Sequence, residues 1–110
     1  MNNYIQPGDV LTLTAPYDVA SGGGALVGSI FGVATGAVAS GARGEFKTSG
    51  VFELTKTSAQ AWTEGAKIYW DNTAKACTTT ATDNTLIGCA TAPAANPSAT
   101  GLVRLNGTVA

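Results

Sequence analysis

The sequence predicts a mainly β protein, a small β-barrel or β-sandwich with one short α-helix at about residues 58–64. Three observations carry that expectation. Short segments alternate apolar and polar residues with period two, as Val10-Leu11-Thr12-Leu13-Thr14 and Val51-Phe52-Glu53-Leu54 do. Glycine, proline and Asp-Asn pairs punctuate them at close intervals. Only one stretch carries both a helix start signal and a helix stop signal.

Taken in order, Gly8 and Pro16 bracket the first strand. Ser21-Gly22-Gly23-Gly24 reads as a loop, followed by strands at Ala25-Leu26-Val27 and Ile30-Phe31-Gly32-Val33-Ala34, with a bulge or bend at Gly28. Gly36 to Gly44 reads as a glycine-rich connection. Glu45-Phe46-Lys47-Thr48 and Gly50 to Leu54 follow as strands, the second placing Val51/Glu53 and Phe52/Leu54 on opposite faces. Thr57-Ser58-Ala59-Gln60 has the Thr-x-x-Gln form of a capping box, and Gly65 sits where a left-handed C-terminal residue belongs. The helix between them would turn Trp62 and Ala59 inward and depend on the sheet for stability. Lys67-Ile68-Tyr69-Trp70 is strongly β-prone. Asp71 to Ala74 forms a hairpin turn, Lys75 to Thr80 the return strand, and Asp83-Asn84 another turn. Leu86 to Ala90 and Leu102 to Asn106 are the last strands, separated by a loop through Asn96-Pro97. An internal echo pairs Gly8-Asp9-Val10-Leu11 with Gly65-Ala66-Lys67-Ile68, and Leu26-Val27-Gly28 with Leu86-Ile87-Gly88. Such a repeat fits two similar meanders.

The chain has 110 residues, which fits a single β domain over 1–110 with a short N-terminal arm at 1–7. Charged residues make up only 12% of it, about half the usual globular share. The polar remainder is Thr, Ser, Asn and Gly, a weakly charged surface suited to packing on other protein. The net charge of −1 leaves no basic stripe, so nucleic acid is not an expected partner. Met1-Asn2-Asn3-Tyr4 begins no signal peptide. The small, glycine-broken stretch from Ala25 to Ala42 has too few large side chains for a membrane helix, despite the GxxxG spacing of Gly28, Gly32 and Gly36.

The search for chemistry excludes more than it finds. Histidine is absent, which removes the commonest general base and metal ligand and rules out Ser–His–Asp and Cys–His arrangements. No glycine-rich segment is followed by the lysine of a phosphate loop, and no Gly-x-Ser-x-Gly elbow occurs. Asp9, Asp18, Glu45, Glu53, Glu64, Asp71 and Asp83 are isolated along the chain, and Asp71-Asn72-Thr73 does not continue into a calcium loop. Cys77 and Cys89 match no zinc or redox spacing and read as small thiols, buried or half-buried, on neighbouring strands, with a disulfide as the lesser alternative. The expectation is therefore a protein that is not an enzyme, with no catalytic residue, no metal, no cofactor and no small-molecule substrate. Trp62, Tyr69 and Trp70 form the densest aromatic group, which fits core packing or a ligand platform. Tyr69 and Trp70 are adjacent on one strand and must face opposite sides, so one of them marks a partner surface.

Asn3-Tyr4-Ile5-Gln6-Pro7-Gly8-Asp9-Val10-Leu11 resembles the opening of a short family of tailed-phage and prophage proteins. The resemblance continues in order through Leu26-Val27-Gly28, Phe31-Gly32-Val33-Ala34, Gly50 to Leu54, Gly65 to Asp71, Asn84 to Gly88 and Val103 to Gly107. Members of that family carry two labels, capsid cement (head decoration) protein and predicted RecA/RadA-family recombinase. A recombinase needs a Walker lysine, a far longer α/β core and basic DNA-binding loops, none of which this sequence has. The resemblance therefore implies a virion protein on the outer surface of the phage head, found in the host cytoplasm before assembly. Its implied partners are the major capsid protein and further copies of itself, in the trimeric form common among small decoration proteins. Tyr4, Ile5 and Pro7 in the arm, with Tyr69 and Trp70, are the expected interface residues. The alternatives are a recombination accessory protein of a prophage and a ligand-binding β module.

Overall fold

A computed structural model describes residues 8–106, the last of them in backbone only, as nine β-strands with no helix among them. The strands are β1 (Val10–Thr14), β2 (Gly24–Val27), β3 (Ile30–Ala34), β4 (Arg43–Lys47), β5 (Ser49–Thr55), β6 (Lys67–Asp71), β7 (Ala76–Thr78), β8 (Thr85–Ala90) and β9 (Thr100–Asn106). They form two antiparallel sheets, one of four strands in the order β1-β4-β3-β2 and one of five in the order β5-β9-β8-β6-β7. Both sheets are open. The ends of the larger one approach each other at a single parallel bridge, Lys56 with Cys77, and this does not close a barrel.

The expected helix at 58–64 is absent, and the hydrogen bonds show why. The Trp62 amide donates to the Ala94 carbonyl at 2.9 Å, and the Ala94 amide returns the bond to Trp62 at 3.0 Å. The Gly65 amide donates to Ala90. These donors would serve the helix ladder, but they are spent across the chain. The capping box fails in the same way. Thr57 donates its amide to Cys77, and the Gln60 side chain turns to Thr78 Oγ1 at 2.8 Å and the Thr79 amide at 3.1 Å. A two-turn helix cannot meet its nucleation cost against a partner that satisfies the same groups. Ala59, expected to face inward, is exposed. Gly65 does adopt the left-handed region at φ 83°, but in a tight turn closed by the Ala66 amide on the Thr63 carbonyl.

The two sheets repeat one plan. Each takes its first, last, third and second principal strands in that spatial order, with β7 added at the edge of the second. Reciprocal bonds between Val19 and Val38 correspond to those between Trp62 and Ala94, and Gly22 on Ala34 corresponds to Gly65 on Ala90. The register differs from the one the sequence echo predicts. β1 matches β5, not β6, and Leu86-Ile87-Gly88-Cys89-Ala90-Thr91 matches Ile30-Phe31-Gly32-Val33-Ala34-Thr35. Gly32 and Gly88 share a reason in this match. A Cβ at Gly32 would lie 2.8 Å from Phe46 Cβ, and one at Gly88 would lie 2.0 Å from the Arg104 carbonyl oxygen.

Two apolar clusters lie behind the sheets. The smaller gathers Ala25, Ala34 and Phe46 of the first sheet with Ala15, Val19 and Val38 of its connections. The larger takes Phe31 and Val33 from that sheet and Leu54, Ile68, Trp70, Ile87 and Val103 from the second, with Trp62 of the segment between β5 and β6, so it joins the two. Each large side chain buried in this way stabilises the fold by about 1.5–3 kcal/mol. Phe31 and Trp70 meet with ring centroids 4.9 Å apart. Lys75 sets its ammonium 4.4 Å from the centre of the Tyr17 ring, a second tie between the halves.

Candidate contact surface

The outer face of the five-stranded sheet is built by strand alternation. On β6, Ile68 and Trp70 point into the core, so Lys67, Tyr69 and Asp71 point out. Trp70 is buried and donates its indole N–H to Asn72 Oδ1 at 3.1 Å. Tyr69 is half-buried and paired across strands with Leu86 and Thr78. The pair thus faces opposite sides, and Tyr69 is the outward member. On β9, Val103 and Leu105 are buried while Leu102 and Arg104 face out. On β5, Leu54 is buried and Val51 and Glu53 face out. Val51 at 55% exposure and Leu102 at 39% are the exposed large apolar side chains among the described residues. Register sets Val51 opposite Arg104, Arg104 opposite Cys89, and Cys89 opposite Lys67, a row that crosses four strands. Glu53 lies opposite Leu102. The face therefore mixes apolar and charged groups of both signs, with Val51 and Leu102 as its exposed apolar part.

Of the residues expected at an interface, the structure places Tyr69 on this face and Trp70 behind it in the core. Tyr4, Ile5 and Pro7 lie outside the described residues. Val51 and Leu102 were legible as one face of alternating strands, but alternation alone does not say which face is left open.

Trp62 and Trp70 are buried, so neither offers a ligand platform. A cleft between the sheets, lined by Tyr17, Gly23, Leu54, Trp70 and Lys75, encloses about 170 Å³. That is below the roughly 300–1,000 Å³ of small-molecule sites. Burial raises the Tyr17 phenol at its rim above its usual value. A broader concavity of about 450 Å³ is lined by hydroxyls, amides and two carboxylates, among them Thr57, Gln60, Asp71, Thr78, Asp83 and Asn84, and has no aromatic ring.

Both cysteines are free. They sit on β7 and β8, which flank β6, so the expectation of neighbouring strands is corrected. Burial pushes the Cys77 thiol up to about 12, while Cys89 is half-buried on the outer face. Lys56 is a feature that sequence reasoning missed. It is 3% exposed, and its ammonium donates to Thr57 O at 2.9 Å and, at 3.5 Å each, to the carbonyls of Ser58, Ala95 and Ser98. Flanked by two threonines, it carries no local signal that sets it apart from a surface lysine.

Fold and surface describe a small twin-sheet β protein with an open, mixed apolar and charged sheet face. The chain belongs to the phage cement protein family, whose model matches residues 5–105. No curated protein and no solved structure matches it. The family is one of phage structural proteins, which associates the chain with the phage capsid.

Proposed function

We propose that this protein binds the outer surface of the phage head as a decoration subunit and stabilises the shell, acting by contact and without catalysis. The observation that carries the reading is the family match over residues 5–105. The open face of the five-stranded sheet supports it by giving such a subunit somewhere to make contact. In this reading the chain is made in the host cytoplasm and adds to the head as a homo-oligomer, a trimer being the form adopted here. A standard interface buries about 1,600 Å² in all, and repetition over the shell multiplies its effect through avidity. Bridging joints between capsomers adds buried area that opposes the outward pressure of packaged DNA. Tyr69 on the outer face and the arm residues Tyr4, Ile5 and Pro7 are the proposed contact groups. Trp70 is not among them, because it is spent in the core.

The test is shell stability. Heads assembled without the protein are heated in its presence and absence, and DNA release is followed with an intercalating dye. The reading expects release at a higher temperature with the protein bound. Identical release curves at saturating protein would remove the stabilising role.

A further inference from the structure

The first strand of the larger sheet, β5, is seven residues long and pairs with β9 along one side, while its other side meets β7 only at the Lys56–Cys77 bridge just past its end. Its pairing fixes which groups face the empty side. The Lys56 amide donates to the Ala99 carbonyl, so residues 50, 52 and 54 exchange bonds with β9 and residues 51 and 53 direct their N–H and C=O groups away from it. No strand of the described chain pairs with that edge at Val51 or Glu53. The same two residues put their side chains on the outer face, with exposed Leu102 on the next strand opposite Glu53. Unpaired backbone groups and an exposed apolar pair therefore coincide, the combination that natural edges avoid unless it is used.

The occupant follows from charge and symmetry. Gly50, at φ 117°, kinks the strand just before Val51, and the Lys56–Cys77 bridge meets the edge beyond Glu53, so the open part is centred on Phe52. A second copy pairing there about a two-fold axis through Phe52 would set each Glu53 against Val51 of the other copy, which leaves both carboxylates beside an apolar side chain with no cation to meet them. Glu53 has no ion pair among the described residues. The chain segments outside residues 8–106 contain no lysine or arginine to meet it. We infer that the β5 edge at Val51–Glu53 receives, by strand addition, an extended segment of the shell subunit that presents an apolar side chain beside Val51 and Leu102 and a basic one beside Glu53. This rests on the head-binding reading above.

The experiment is cosedimentation of the purified protein with expanded heads that lack it. Val51→Pro removes an amide that points away from β9, so the internal ladder is untouched while the added strand loses a donor. Glu53→Lys keeps the backbone and reverses the charge. Melting curves confirm that each variant is folded, and Glu53→Lys stands alone if Val51→Pro is not. Each folded variant is expected to bind roughly thirtyfold more weakly, the scale of a lost hot spot. Folded variants that bind within about twofold of the parent overturn the edge inference and leave head binding intact. Failure of the parent protein to bind removes the head-binding reading itself and the occupant with it. A change in the sedimentation of the free protein on Val51→Pro would assign the edge to a second copy and overturn the shell segment.

Discussion

Replacing Lys56 by methionine isolates the one buried cation of the fold's described part that has carbonyls, and not a carboxylate, for partners. The ammonium sits between the turn after β5 and the loop before β9, bonded to Thr57 O at 2.9 Å and within 3.5 Å of carbonyls of Ser58, Ala95 and Ser98. It also lies 5.7 Å from the centre of the Trp62 ring. A buried charge without a counterion persists only when dipoles replace its water, and these carbonyls do so. Methionine keeps the stem's volume and packing but leaves the carbonyls dry. A short charge-assisted bond contributes about 1.5–3 kcal/mol, and the distant ring contact adds about 0.5. The expected loss is therefore about 3 kcal/mol, or roughly 12 °C in Tm for a domain of this size. Urea unfolding gives the free energy. Hydrogen exchange gives the location, since the reciprocal Trp62 and Ala94 amides should lose protection first. A variant within about 0.5 kcal/mol of the parent would refute the cage as a stabilising device.

Gly88→Ala would drive a Cβ to 2.0 Å from the Arg104 carbonyl oxygen, so the β8–β9 ladder must part, at a cost of about 3 kcal/mol or more in chemical denaturation. Gly36→Ala meets nothing within 4 Å and should unfold within about 0.5 kcal/mol of the parent. Cys77 has an ordinary value of 9.0 and is held at about 12 in the fold, so between those limits the unfolded chain loses its proton first. The stability present below pH 9 therefore falls as pH rises toward 12, by up to about 1.4 kcal/mol per pH unit, and Cys77→Val should flatten that decline in unfolding curves taken across the range. Under native conditions a maleimide should label Cys89 and spare Cys77, and mass spectrometry after digestion reads the difference. Deleting residues 2–6 should weaken binding to expanded heads if the arm holds the shell, and unchanged binding would return Tyr4 and Ile5 to a passive role.

The strands were legible because their signal is local. Alternation in β1, β5 and β9 names the strand and sorts its side chains into two faces, and adjacency of Tyr69 and Trp70 dictates that they point to opposite sides. The helix was misread because Thr57, Gln60 and Gly65 satisfy helix rules locally while their partners, Cys77, Thr78 and Ala90, lie far along the chain. The internal repeat was seen but set in the wrong register, because a 13-residue difference in spacing between the halves hides it. Trp62 stands 43 residues after its counterpart Val19, whereas Ala94 stands 56 after Val38. That extra length falls between β6 and β8 and carries β7. Lys56 and the β5 edge were not legible at all, since carbonyl cages and empty sheet edges are made by topology and leave no mark on neighbouring residues.

Head binding is tested most directly by electron cryomicroscopy of phage heads that lack this protein, imaged before and after it is added back. The account predicts new density on the outer surface at the joints between capsomers, into which the twin-sheet fold fits with the outer face of its larger sheet against the shell. Heads that look the same with and without the protein would contradict it.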